Sequence, residues 1–567
     1  MTEYMSIIQE DYMSIICSFM TKNELAELRL ISSKLNQICS KKINKVNSQL
    51  FDTLTDNIVL EHKDFFSNIT ELFYTKEFKL SIDGMKLFTN LKNICFARSD
   101  KQIMDMSQLS TVEEIIICCG GASKLDYDKF KGVDIKKFHM YHTYLSNENM
   151  LFQHNFKNLK ELTLLMPNNI SHETQNNYVQ LLPNYVQLKY FKLKTQYDID
   201  LNNFTSLSRL VITSSEISDK SIEKLSQLTE LNVKRNDKIN CIKNLTNLEA
   251  FHGDFIDLSF QTKLKTVELS NELRKTIDEI NNSLKSLKSS IKTIEKLYLY
   301  YESMDIKIVE EMINLTDLEI FLSNETPLDI TKLSNLKYIE TKNVVLTGKV
   351  SSYLQNIDAE MYSLSTNSCI ENPQCILSLC NSERLKKVSL KGVIIENFGP
   401  NIEKLVNSCK INRKDMTMLK NNSHKLVHLD TSYKSNITPS IINNNFYDLI
   451  SLKLDTIDST IVSLNNLKKL RKLRLIDCNV EEECIENLKL IKLDLSHIDK
   501  NLLIDSSDMK SLIISYCPNQ QISLKNLEEI KRIKCGEKWA NNNIEGYKNL
   551  LSSEINKKFR FCPFGNM

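Results

Sequence analysis

His139 with His142, and His424 with His428, are the closest histidines in the sequence and the first residues whose chemistry could include holding a metal. Both pairs fall in strand-like repeat segments, so no metal is expected there. Cys118 and Cys119 are adjacent rather than spaced for one ion, and the fifteen cysteines include no Cys-x-x-Cys pair. A phosphate-cradling Gly-rich loop, His-Glu-x-x-His, Gly-x-Ser-x-Gly and a calcium-loop pattern are all missing from the sequence. A non-enzymatic chain without a cofactor is the expectation.

Binding chemistry is better represented. Alternate positions in three consecutive segments carry Lys296, Tyr298 and Tyr300, then Asp317, Glu319 and Phe321, then Tyr338, Glu340 and Lys342. Aromatic anchors dominate interface energies, so four rings beside acids read as a surface for a basic peptide. A second cluster, Lys472, Arg474 and Lys492, suits an acidic or phosphorylated segment. The alternative for each cluster is a solvated sheet face of incidental composition.

The elements that would position these residues recur at about twenty-one residues. Clear copies are Phe204-x-x-Leu207-x-x-Leu210-x-Ile212, Leu225-x-x-Leu228-x-x-Leu231-x-Val233, Met312-x-x-Leu315-x-x-Leu318-x-Ile320 and Leu467-x-x-Leu470-x-x-Leu473-x-Leu475. Alternation sends the leucines inward and the intervening residues outward, where neighbouring coils set them side by side. The pattern resembles the leucine-rich repeats. That resemblance implies an α/β solenoid, with a parallel β-sheet on the concave face and short helices on the convex face.

Stacking coils grows in one dimension, so 567 residues need not imply several globular cores. Weaker copies begin at Phe88-x-x-Leu91-x-x-Ile94, which predicts a solenoid over residues 86–540 and a tail over 541–567. Leu273, Ile277, Ile280, Leu284, Leu287 and Ile291 follow a heptad-like spacing and are expected to bury against the solenoid's own side. Ser218 or Asp219 is expected to cap a short helix.

Composition narrows the partners. The net charge is +2, from 73 basic and 71 acidic side chains, so no global field draws the chain to nucleic acid or an anionic membrane. Apolar runs such as Ile115–Cys119 are far too short to span a bilayer. Scattered cysteines and an N-terminus without a cationic signal region point to a reduced setting, the cytoplasm first and the nucleus second. Cys478 stands where a repeat turns after its strand, which suggests a buried structural role.

Residues 1–45 form a separate helical pattern, followed by a connector or N-terminal cap over 46–85. The stretch Ile16-Cys-Ser-Phe19-Met20, Glu24-Leu25, then Leu28-Arg29-Leu30-Ile31-Ser32-Ser-Lys34-Leu35-Asn36 resembles an F-box, with Leu35 at the usual tryptophan position. The resemblance implies a substrate-recognition adaptor of an SCF-type ubiquitin ligase, acting as a monomer within that complex. Ile16, Phe19, Met20, Leu25, Leu28, Ile31 and Leu35 would then contact a Skp-type adaptor, itself joined to a cullin, while the repeats hold a substrate protein. Two alternatives stay open: a scaffold whose N-terminal helices only cap the solenoid, and a regulator that clamps an enzyme such as a phosphatase or small GTPase.

Overall fold

A typical repeat contributes one short strand whose second and fourth residues are buried while the first, third and fifth face outward. The side chains alternate because the pleat does, and the leucines of one strand complete their burial only against those of the next coil. The structure, a computed structural model, describes residues 45–47, 56–61, 63–74, 81–97, 109–118, 133–141, 158–165, 187–195, 197–213, 216–240, 242–271, 275–349, 353–360, 376–378, 384–391, 394–396, 401–407, 413–431, 435–455, 460–498, 502–505, 508–515, 522–525 and 532–534. These fall into two units. One comprises the chain to Leu264 with Asn271–Ser289, the other Lys265–Ser270 with the chain from Ser290 onward.

The first unit holds strands β1 (Lys45–Asn47), β2 (Glu71–Tyr74), β3 (Asn93–Ala97), β4 (Glu114–Cys118), β5 (Lys137–Tyr141), β6 (Glu161–Leu165), β7 (Tyr190–Lys194), β8 (Arg209–Thr213), β9 (Glu230–Lys234) and β10 (Ala250–Asp254). They pair in chain order and always parallel. Repeat spacing and sheet register coincide: Leu210 lies opposite Leu231, twenty-one positions on. Helices α1 (Asp56–Glu61), α2 (Lys63–Phe66), α3 (Ile82–Lys86), α4 (Asp219–Ile222) and α5 (Ile277–Ser286) lie between or after these strands.

In the second unit the main ladder runs β11 (Thr266–Ser270), β12 (Lys296–Tyr300), β13 (Asp317–Asp329), β14 (Tyr338–Lys349), β15 (Asn356–Glu360), then past β16 (Ile376–Ser378) to β17 (Lys387–Lys391) and past β18 (Ile394–Glu396) to β19 (Lys404–Asn407). It continues through β20 (His428–Thr431) and β21 (Ser451–Asp455), skips β22 (Thr460–Ile461), and takes in β23 (Lys472–Ile476). Skipping β24 (Asn479–Val480), β26 (Leu502–Asp505) and β28 (Ile522–Lys525), it ends on β25 (Lys492–Ser496), β27 (Ser511–Ser515) and β29 (Arg532–Lys534). The skipped strands form smaller parallel ladders of their own. Helices α6 (Arg413–Asn421) and α7 (Pro439–Asn445) occupy two of the returns.

β13 and β14 are long because they pair twice. After the outward segment the register shifts between Phe321 and Thr326, and Thr326–Asp329 resume pairing with Val344–Thr347. The end of β14 then pairs with β16. At that end Gly348 has φ +94°, and a Cβ there would sit 2.2 Å from the Thr331 hydroxyl and 2.3 Å from an Asp329 carboxylate oxygen. Only glycine fits both the backbone and the space.

Polar links between coils were not part of the sequence reading. The asparagine just before the second leucine of a repeat donates its side-chain amide to a carbonyl of the preceding coil: Asn247 to Ser226 at 2.9 Å, Asn314 to Lys292 at 2.7 Å and Asn335 to Ile313 at 3.1 Å. Each satisfies a carbonyl that the open return would leave exposed. Capping also works between coils. Ser218 is the N-cap of α4, yet its hydroxyl accepts from no helix amide. Instead Asp198 of the preceding coil accepts from the Ser218 amide at 3.0 Å and the Ser221 hydroxyl at 2.5 Å, and Asp219 accepts from the Asn240 amide of the following coil.

β1 and β2, which fall at the start of and within the span 46–85 expected as a connector or N-terminal cap, pair in the parallel ladder. In the heptad-like stripe, Ile280, Leu284 and Leu287 are buried, but Ile277 is 51% exposed and Leu273 lies outside the described residues. The first turn of α5 stands off the coil, closed by a Thr276–Glu279 capping box. The F-box-like segment, apart from Lys45, and the 541–567 tail also lie outside the described residues.

Leu318 is fully buried between Leu297 and Ile339 in register. Leu318→Ala should lower the unfolding free energy by about 2–5 kcal/mol, and Asn314→Ala by about 1 kcal/mol. Urea unfolding followed by circular dichroism checks both, and a smaller loss at Leu318 than at Asn314 would contradict a leucine-driven stack.

Candidate functional site

The parallel register of β12, β13 and β14 assembles the nine outward residues into three rows. Lys296, Asp317 and Tyr338 form the first, Tyr298, Glu319 and Glu340 the second, and Tyr300, Phe321 and Lys342 the third. Their intervening neighbours Leu297, Leu299, Leu318, Ile320 and Ile339 are fully buried, which fixes the outward direction of the rest.

The rings and acids bond to one another. Tyr300 stacks on Phe321 with centroids 5.4 Å apart and planes inclined by 25°. Its hydroxyl donates to Glu319 Oε1 at 2.7 Å, and the Tyr338 hydroxyl donates to a carboxylate oxygen of Glu340. Burial first, and then these carboxylates, push both phenols above their ordinary pKa. Asp317 accepts from the Thr316 hydroxyl at 2.6 Å. Glu319 and Glu340 thus each anchor a tyrosine, and the rings are held in place before any partner arrives.

Beside the stack lies an open groove of about 500 Å³ lined by Tyr300, Tyr301, Phe321, Leu322, Ser323, Lys342 and Asn343. The Tyr301 amide donates to the Phe321 carbonyl at 2.9 Å. Asn343, at φ 55°, donates its side-chain amide to the carbonyls of Leu322 and Ser323 at 2.8 and 3.1 Å. Tyr301, Ser323 and Asn343 escaped the sequence reading because strand alternation had ended there. The available signal was an asparagine within a strand-like run, where that residue is disfavoured.

The second cluster is also brought together. Lys472 lies opposite Lys492, and Arg474 opposite Asp494, which it meets at 3.4 Å through Nε. An open groove of about 430 Å³ runs over these residues and includes Lys404, His428, Asp430 and Lys453.

The histidines occupy structural positions. His139 Nδ1 is 2.9 Å from the Thr163 hydroxyl and Nε2 is 3.4 Å from Glu114, and burial holds its pKa below the ordinary value. His424 is exposed, His428 is half-buried on the neighbouring strand, and His142 lies outside the described residues. Among the described residues no group of three or more His, Cys, Asp or Glu could hold a metal ion. Cys478 is buried and donates to the Ile476 carbonyl at 3.1 Å, while burial pushes the Cys484 thiol up to about 12. Ile16, Phe19, Met20, Leu25, Leu28, Ile31 and Leu35 lie outside the described residues.

No family model matches the chain, and no curated protein matches it. Among solved structures, an internalin of Listeria monocytogenes is similar over 72% of this chain and 88% of its own, at 17% identity and a TM-score of 0.23. A leucine-rich-repeat protein of Leptospira interrogans is similar over 78% of this chain and 92% of its own, at 14% identity and a TM-score of 0.33. The Arabidopsis receptor kinase HAESA, solved with a peptide hormone and a co-receptor, is similar over 87% of both chains, at 14% identity and a TM-score of 0.39.

The low pKa of His139 has a pH consequence of definite sign. As pH falls through the ordinary imidazole value of about 6.5, the unfolded chain takes up a proton that the folded chain resists, so stability falls with acidification. His139→Gln should reduce the loss in urea midpoint between about pH 7.5 and pH 5.5. An unchanged loss would mean that His139 is not the group responsible.

Proposed function

We propose that the chain is a non-enzymatic protein-binding solenoid whose partner docks on the outward rows of β12, β13 and β14. The observation that carries this reading is the ring platform of Tyr300 on Phe321, with tyrosine hydroxyls tied to Glu319 and Glu340. Rings fixed in advance lose little rotamer freedom on binding, and carboxylates beside ring faces favour a cationic side chain through both charge and cation–π attraction. A partner segment bearing arginine or lysine is the class that fits.

The finer reading is a substrate-recognition adaptor working in the cytoplasm, in which residues 1–45 hold a Skp-type adaptor and cullin while the repeats hold the substrate. It rests on the F-box resemblance of Leu28–Asn36. One observation favours the scaffold reading instead: the parallel ladder already includes Lys45–Asn47, directly after the segment whose sequence pattern is helical. A helical cap on the first coil is a role that every solenoid needs filled.

Pull-downs with the full chain and with a version lacking residues 1–45, both checked for folding by circular dichroism, separate the two. Recovery of a Skp-type adaptor and cullin with the full chain alone is the result expected of the ligase adaptor; their absence from both, with another protein retained by both, leaves the scaffold. For the docking surface, an arginine–serine repeat peptide should lose affinity roughly tenfold or more in the Tyr298→Ala, Tyr300→Ala, Phe321→Ala variant. Unchanged binding by a folded triple variant removes the patch from the account.

A further inference from the structure

In the first unit, cations at the leading position of a strand sit opposite acids in the next coil. Lys137 meets Glu161 at 2.9 Å and Arg209 meets Glu230 at 2.7 Å. Farther along the chain, from β17 onward, the same position follows a different rule. Lys387 lies directly opposite Lys404, Lys404 opposite His428, and, after Ser451, Lys472 opposite Lys492. All four lysines are exposed, and among the described residues none of them has a salt-bridge partner.

Like charges directly opposite on a sheet destabilise it. The nearby acids do not relieve them, because Asp430 is paired with Lys453 at 3.1 Å and Asp494 with Arg474 at 3.4 Å, one row over. His428, between Lys404 and Lys472, is held below its ordinary pKa by burial and by those two cations. The repulsion is therefore built into the row.

We propose that the outward face of β17, β19, β20, β21, β23 and β25 binds an acidic polypeptide segment laid across the strands, with its carboxylates neutralising the row Lys387, Lys404, Lys472 and Lys492. Five strand steps separate the ends of that row, about 24 Å, which an extended segment of about seven residues covers. A polypeptide fits better than a nucleic acid. The groove over these strands has no Tyr, Phe or Trp among its lining residues to stack a base, and the row is a single file rather than a broad basic face. This site uses strands other than those of the aromatic patch and needs nothing from residues 1–45, so it holds or fails independently of the function proposed above.

The test is fluorescence anisotropy of a labelled peptide of alternating glutamate and serine with the full chain. Binding is expected at about 50 mM NaCl and should weaken on going to about 200 mM. Lys472→Glu with Lys492→Glu should weaken it roughly tenfold or more. Lys285→Glu with Lys288→Glu, an equal change of charge at exposed positions in the first unit, should leave it unchanged. Should the reversed pair not fold by circular dichroism, Lys472→Gln with Lys492→Gln serves in its place, with a smaller loss expected in the same direction. Equal losses in the two charge-reversal variants would overturn the proposal, as would no binding by the unmodified chain. A single-stranded oligonucleotide of matched charge that binds more tightly than the peptide, and loses that binding in the same variant, would overturn it in favour of a nucleic-acid surface.

Discussion

No coil of this chain can bury its own leucines. A five-residue strand offers two inward side chains and one backbone edge on each side, and all of these are satisfied by neighbours. Leu318 is fully buried because Leu297 and Ile339 flank it in register, and each of those is flanked in turn. A one-residue slip between two coils would turn leucines outward and charges inward, so the register is set by the core.

Once the core sets the register, the outward face follows without further choice. Tyr300 must lie beside Phe321, and Lys472 beside Lys492, because their inward neighbours are matched. What differs from place to place is whether the enforced neighbours attract. Lys137 and Glu161 do, Tyr300 and Phe321 do, and Lys472 and Lys492 repel. Neighbours that attract hold the face still, whereas neighbours that repel leave charge for something outside the chain to neutralise.

The leucine spacing made the main ladder legible, since its period equals the strand-to-strand step and Leu210 could be set against Leu231 directly. The membership of the aromatic patch could be read for the same reason. Its internal bonding could not: whether Tyr338 reaches Glu340 depends on side-chain direction along one strand, which alternation leaves open. The caps of α4 escaped because the bonded group, Asp198, belongs to another coil. β2 was legible but missed: Phe66-x-x-Ile69-x-x-Leu72 repeats the spacing of Phe88-x-x-Leu91-x-x-Ile94 twenty-two residues earlier, with Phe and Ile in place of two leucines, and Leu72 lies opposite Ile94.

The long pair β13 and β14 carries hydrogen bonds along two stretches of each strand, on both sides of the register shift between Phe321 and Thr326. Opening this coil means breaking two ladders, whereas opening β23 or β25 breaks one beside a short secondary ribbon. The coil that carries the stacked rings thus resists local unfolding more than its neighbours do, and its amides would be among the slowest to exchange with solvent. Fraying from the β29 end of this ladder would reach the ring platform late, so the chain could lose those outer coils and still present it.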